Sequence, residues 1–201
     1  MIVIRDIEQG SLEWHDLRLE VLSSSRFKDL ITTKGAPSAS RKKYKNELIN
    51  EIITGERVES YKSKDMQRGN DREHESREAY EFAHSVTVEQ VAFCFYDETK
   101  TFGCSPDGLV GEDGGFETKD ALPHIQIERI ENDWKGTEHF QQVQGSLYIT
   151  GRKWWDLQSY CRGLPIVTVR IFPDEKFIRA LSIEIRLLIN ELNQIKERYK
   201  R

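Results

Sequence analysis

The residues best suited to do chemistry lie in one short stretch. Ser105-Pro106-Asp107-Gly108 is followed by Glu117-Thr118-Lys119, with nine residues between Asp107 and Glu117. Between them Gly111-Glu112-Asp113-Gly114-Gly115 has the composition of a hairpin turn. Side chains two apart on a strand share a face, so Glu117 and Lys119 point the same way. If the turn folds the two strands together, Asp107 faces Glu117 across the hairpin. Two carboxylates on one face cannot both stay ionised cheaply without a cation between them. Oxygen-only donors suit Mg²⁺, with Mn²⁺ as a substitute. Lys119 would orient a water or stabilise a phosphoryl charge.

The flanking helices offer further groups. Glu73 and Glu75 precede the hairpin and can supply another carboxylate. Gln141, Gln142 and Gln144 follow it, and their amides can hold a phosphate or a water. From Arg26 to Lys45 there are seven Lys or Arg residues and one acid, Asp29. That run reads either as a solvated basic surface or as a phosphate-contacting arm.

These residues must be positioned by regular elements, which the periodicity outlines. Leu12 to Leu22 reads as a helix with Trp14, Leu17 and Val21 on one face. Ser24 or Ser25 can cap a short helix through Ile31, and Ser40 a longer one that stops at Gly55. Asp65 to His84 reads as a long polar helix. The pattern then turns strand-like: Val86 to Phe95, Phe102 through Cys104 towards Leu109-Val110, and Phe116 to Ala121. Glu138 to Thr150 is helical, and Lys153 to Cys161 and Ile166 to Phe172 are strands. A last helix from near Asp174 carries Phe177, Leu181, Ile185, Leu188, Leu192, Ile195 and Tyr199 on one stripe. The fold class is therefore α/β (α+β), a central mixed sheet flanked by helices in a single domain over 1–201.

Composition closes off other classes. The chain has 201 residues, a net charge of −4, 37 % apolar and 32 % charged residues. No apolar run is long enough to span a membrane, and a uniformly basic nucleic-acid binder is excluded. Three cysteines without a CxxC pair read as buried thiols, not as a zinc site. The start carries no signal-peptide pattern, so a cytoplasmic protein is expected. His124 and His139 lack metal-ligand spacing, His15 beside Trp14 reads as structural or surface, and His74 beside Glu73 reads either as surface or as a support to the site. Of Trp154 and Trp155, one ring is expected in the core and the other as an interface anchor.

Ser-Pro-Asp-Gly followed by Glu-x-Lys resembles the PD-(D/E)xK nuclease signature. More specifically the chain resembles the phage lambda exonuclease group, the YqaJ-type viral recombinases or alkaline exonucleases. The resemblance extends from Glu8-Gln9-Gly10 and Trp14-His15-Asp16-Leu17-Arg18-Leu19, through Gly69, Glu73, Arg77 and Glu81, to Gln142-Val143-Gln144 and Tyr148. It implies a restriction-endonuclease-like core and a Mg²⁺-dependent 5′→3′ exonuclease acting on double-stranded DNA ends. Asp107, Glu117 and the backbone carbonyl of Thr118 would hold the metal, and Lys119 would position the attacking water. Glu73 and Gln142 would support the reacting site. Arg18, Ser25 and Ser105 would bind the terminal 5′-phosphate, with Lys34, Arg41 and Gln144 as further DNA contacts. The resemblance also implies a homotrimeric ring, a single-strand annealing protein as partner, and a phage or prophage origin in a bacterial host. Another PD-(D/E)xK nuclease, such as an endonuclease or RecB-like module, and a non-catalytic end-binding module stay open as alternatives. Where the family commonly has Cys-Pro after the lysine, this chain has Asp120-Ala121. Alternation turns Asp120 away from Glu117 and Lys119, although it leaves open an extra acid near the site.

Overall fold

Pro106 cannot donate to a sheet ladder, and the strand that enters it does not continue beyond it. The computed structural model, which describes residues 1–57 and 64–199, puts the two sides of this break in different sheets. One sheet has the order β1 (Ile2–Ile4), β4 (Phe93–Phe95), β5 (Phe102–Cys104), β2 (Leu22–Ser23). The other has the order β3 (Val88–Glu89), β6 (Gly108–Val110), β7 (Gly114–Asp120), β8 (Trp154–Tyr160), β9 (Val167–Ile171). Both sheets are mixed: β2 runs parallel to β5 and β7 parallel to β8, while the other neighbours are antiparallel. The expected single sheet is thus two, and the expected strand from Phe102 to Val110 is two strands. Gly108 is required on the far side of the break, because a Cβ there would lie 2.0 Å from Val88 Cγ1.

The helices are α1 (Leu12–Leu17), α2 (Phe27–Leu30), α3 (Arg41–Thr54), α4 (Lys64–His84), α5 (Pro123–Glu131), α6 (Phe140–Thr150) and α7 (Glu175–Tyr199). The first is shorter than its periodicity suggests: Glu20 takes φ 61, and the chain then enters β2. α3 stops where expected, with Gly55 left-handed at φ 68. Ser40 stands at its N-cap but makes no side-chain capping bond. α7 is capped instead by Asp174, whose carboxylate accepts the Phe177 N–H at 2.9 Å. Its stripe buries Phe177, Leu181, Ile185, Leu188 and Leu192 against α3 and α6, while Tyr199 has left the core.

α6 crosses the 3₁₀ turn at Ser24–Arg26 and α2 at very short range. A Cβ on Gly145 would fall 2.4 Å from the Phe27 ring, so only glycine permits this approach. Four of the seven basic residues in the run are paired with acids. Arg26 pairs with Asp29 and Glu47, Arg41 with Glu184 and Glu191, Lys43 with Glu47, and Lys45 with Glu191. Arg26–Glu47 ties α3 to the turn before α2, Arg41 and Lys45 tie α3 to α7, and Lys43–Glu47 lies within α3. Trp155 is fully buried, as one of the two tryptophans was expected to be. Trp154 is no exposed anchor: it is partly buried, with the Arg170 guanidinium 3.7 Å from its ring centroid. All three cysteines are buried and unpaired. No helix among the described residues is long and apolar enough to cross a membrane.

Candidate active site

Alternation along β7 sorts its side chains into two environments. Phe116, Thr118 and Asp120 face α4. Phe116 packs on Tyr80 with ring centroids 4.4 Å apart, Thr118 shares a hydroxyl contact with Ser76, and Asp120 pairs with Arg68 at 2.5 Å and Arg72 at 3.3 Å. Asp120 is therefore neutralised on the helix side and adds no acid to the site. Glu117 and Lys119 project from the opposite face. Lys119 Nζ donates to Glu117 Oε1 at 2.6 Å, and so does the Gln142 amide from α6, also at 2.6 Å.

Asp107 joins them from the sheet break. Its carboxylate accepts the Thr118 backbone N–H at 2.7 Å, which registers it against β7. Burial, then Glu117 and Glu73, push its pKa well above the usual carboxylate range, against the pull of Lys119. Burial also raises Glu73, with Glu117 adding to the shift and Arg77 opposing it. Burial works against the Lys119 ammonium, but Glu117, Asp107 and Glu73 outweigh it and its pKa is raised. Three acids thus crowd one lysine, an imbalance that a divalent cation would relieve. Among the described residues no three His, Cys, Asp or Glu side chains form a ready-made cage. Asp107 and Glu117 are instead a sparse carboxylate pair that suits Mg²⁺, which keeps several of its waters. The residues present fit that ion.

Beside this cluster lies a cleft of about 800 Å³ lined by Arg18, Ser25, Glu73 and Arg77 among others. Arg18 stacks over Trp14 at 3.9 Å from the ring centroid and donates to Ser23 at 3.3 Å. Its Nε is buried with no hydrogen-bond partner among the described residues. Burial, then Arg57, lower its pKa to about 10. Ser23 Oγ lies 3.1 Å from Ser25 Oγ, and Ser105 Oγ accepts the Trp14 indole N–H at 3.2 Å. An arginine held in place with an empty donor is prepared for an anion.

The structure thus brings together Asp107, Glu117, Thr118, Lys119, Glu73 and Gln142, with Arg18, Ser25 and Ser105 on the adjoining side. Lys34 is exposed in its loop. Two expected DNA contacts have partners within the chain. Arg41 spends its guanidinium on Glu184 and Glu191. Gln144 is buried, with its amide donating to Phe172 O and accepting from Asp174 N, so it anchors the start of α7. Glu75 is turned to Arg162 and Tyr160, away from the carboxylates. Sequence reasoning gave no role to Arg77, although its spacing of four from Glu73 was the available signal. His139 was read only as lacking metal-ligand spacing. Burial, then Lys119, drive the His139 pKa down to about 4, so the ring stands neutral near the lysine.

This fold is that of alkaline and phage-related exonucleases. The alkaline exonuclease LHK-Exo of Laribacter hongkongensis superposes with a TM-score of 0.82 at 32 % identity, covering 93 % of this chain and 95 % of that one. The structure of LHK-Exo in complex with dAMP gives 0.83 at 33 % identity, covering 95 % and 97 %. A phage-related exonuclease from Haemophilus somnus shares the fold at a TM-score of 0.68 with 13 % identity, covering 90 % and 96 %. The YqaJ-like viral recombinase domain matches residues 13–153, and the chain belongs to that family. Comparison with curated proteins gives no match.

Proposed function

We propose that this chain is a Mg²⁺-dependent exonuclease that degrades one strand of double-stranded DNA from its 5′ end. The product would be a 3′ single strand, handed to a single-strand annealing protein. The observation that carries this reading is the adjacency of two things: the acidic cluster with its lysine, and a cleft holding an arginine with an unfilled buried donor. A bound Mg²⁺ supplies Lewis-acid polarisation of the phosphoryl group and a more acidic water, and Mn²⁺ serves on the same donors. Lys119 then holds the attacking water, Gln142 fixes Glu117, and Arg18 with Ser25 and Ser105 holds the terminal phosphate. The test is Mg²⁺-dependent nucleotide release from linear duplex labelled separately at each end. Release from the 5′ label with a closed circular plasmid left intact is expected. Cutting of the circle would favour an endonuclease, and release from the 3′ label alone would reverse the polarity.

Phosphate capture gives a second expected result. A 5′-phosphorylated duplex should be digested faster than a 5′-hydroxyl one, because the extra dianion meets the Arg18 guanidinium that lines the cleft. Arg18→Ala should shrink that preference by roughly 1.5–3 kcal/mol, the range for a charge-assisted hydrogen bond. Equal rates on both ends in the wild type would remove the pocket from the mechanism.

The family resemblance also supports a ring of three chains around the duplex, since one chain of 201 residues cannot enclose it. Exposed Phe82 and Phe172 offer apolar contact area, at 90 % and 62 % exposure. Light scattering at micromolar concentration should give a trimer, and a particle of single-chain mass would count decisively against the ring.

A further inference from the structure

Three charged residues are buried among those described: Arg77, Glu117 and Asp156. Two of them are fully engaged. Asp156 receives two bonds of 2.8 Å from Arg170 and one of 2.6 Å from the Tyr80 hydroxyl. Glu117 receives Lys119 and Gln142 at 2.6 Å. Among the described residues Arg77 has one hydrogen-bonding partner, Glu73 at 3.5 Å, the outer limit of hydrogen bonding. No Arg77 nitrogen is both buried and unpartnered, so the free side of the guanidinium opens to the cleft, and its planar fork matches two oxygens of a phosphate. Arg77 also lines the cleft that holds Arg18 and Ser25. Its position in that cleft differs from Arg18's. Arg18 is tied to Ser23 and Trp14, whereas Arg77 is tied to Glu73, whose charge is felt by Asp107 and which in turn feels Glu117.

We propose that Arg77 is a second substrate contact: its guanidinium grips a non-bridging oxygen of the phosphodiester that is cut, leaving Glu73 for that oxygen when DNA enters. This rests on the reading that the cleft takes a DNA end. On that reading Arg18 holds the terminal phosphate, and Arg77 holds the next phosphate along the strand, beside the carboxylates.

The test pairs a change in the protein with a change in the DNA. Duplex affinity is measured by fluorescence anisotropy in EDTA and again in Ca²⁺, using DNA whose terminal phosphodiester is native or a neutral methylphosphonate. Wild type should lose about tenfold or more in affinity on neutralisation, and Arg77→Met should bind both duplexes within about twofold. Equal losses in the two proteins overturn the proposal, whatever the overall affinity. Arg77→Lys keeps a charge in the same space and serves if the Met variant does not fold. A reduced discrimination in that variant supports the contact, and an unchanged one overturns it. The two readings fail separately. Absence of any 5′-phosphate preference in wild type removes the terminal pocket, whereas uncoupled losses alongside a normal preference remove only Arg77.

Discussion

Asp107→Ala, Glu117→Ala and Lys119→Ala should each reduce cleavage by at least about 10³-fold, the scale on which removal of a preorganised charge acts. The fold should survive all three, because none of these side chains is part of either apolar core cluster. The acids and the lysine should then part company in a second measurement. Calorimetric titration with Mg²⁺ should show weaker binding in both carboxylate variants and near-normal binding in Lys119→Ala. Proton release should accompany binding in the wild type. The sign follows from the raised Asp107 pKa: burial, Glu117 and Glu73 favour the protonated form, and a bound cation reverses that preference. Near-normal turnover in any of the three variants removes that residue from the mechanism.

The largest expected effect on stability belongs to Trp155. It is the largest fully buried side chain and sits in register with Gly115 of β7. Its ring occupies the space above that glycine, where a Cβ would come within 2.2 Å. Trp155→Ala should cost about 3–5 kcal/mol in urea unfolding, through lost burial and the cavity left behind. Activity should fall as well, because β7 carries Glu117 two residues beyond Gly115. Trp155→Phe should cost distinctly less. The indole Nε1 has no hydrogen-bond partner, so no bond is lost with it. An equal cost for Phe and Ala would point to a polar contact at that nitrogen.

The site was more legible in the sequence than the fold around it. Asp107, Glu117 and Lys119 follow from strand alternation and one glycine-rich turn, both short-range features. The stop at Gly55 and the stripe of α7 were equally local. What failed was non-local. Nothing within Phe102–Val110 says that the strands before and after Pro106 join different sheets. β1 has three residues, too few for alternation to register. α5 went unread, although Pro123 stands at its first turn, because its apolar residues are few and its buried residue is Gln126. Arg41 and Gln144 carry side chains suited to DNA, but their partners lie on or beside α7, more than 25 residues away. Composition records a charge but not the acid that has already claimed it.

The ion pairs that fasten α3 to its neighbours have a consequence for how tightly DNA is held in salt. Seven Lys or Arg residues in the Arg26–Lys45 run, each displacing a counterion from the duplex, would give a slope of about −6 in log affinity against log salt. Only Lys28, Lys34 and Lys42 lack an acidic partner among the described residues. Those three displace few ions, and the run contributes a slope of no more than about −3. If the chain takes duplex ends as proposed, this run's share of the grip falls only gently as ionic strength rises, and the hold it provides leans on three lysines instead of seven basic residues.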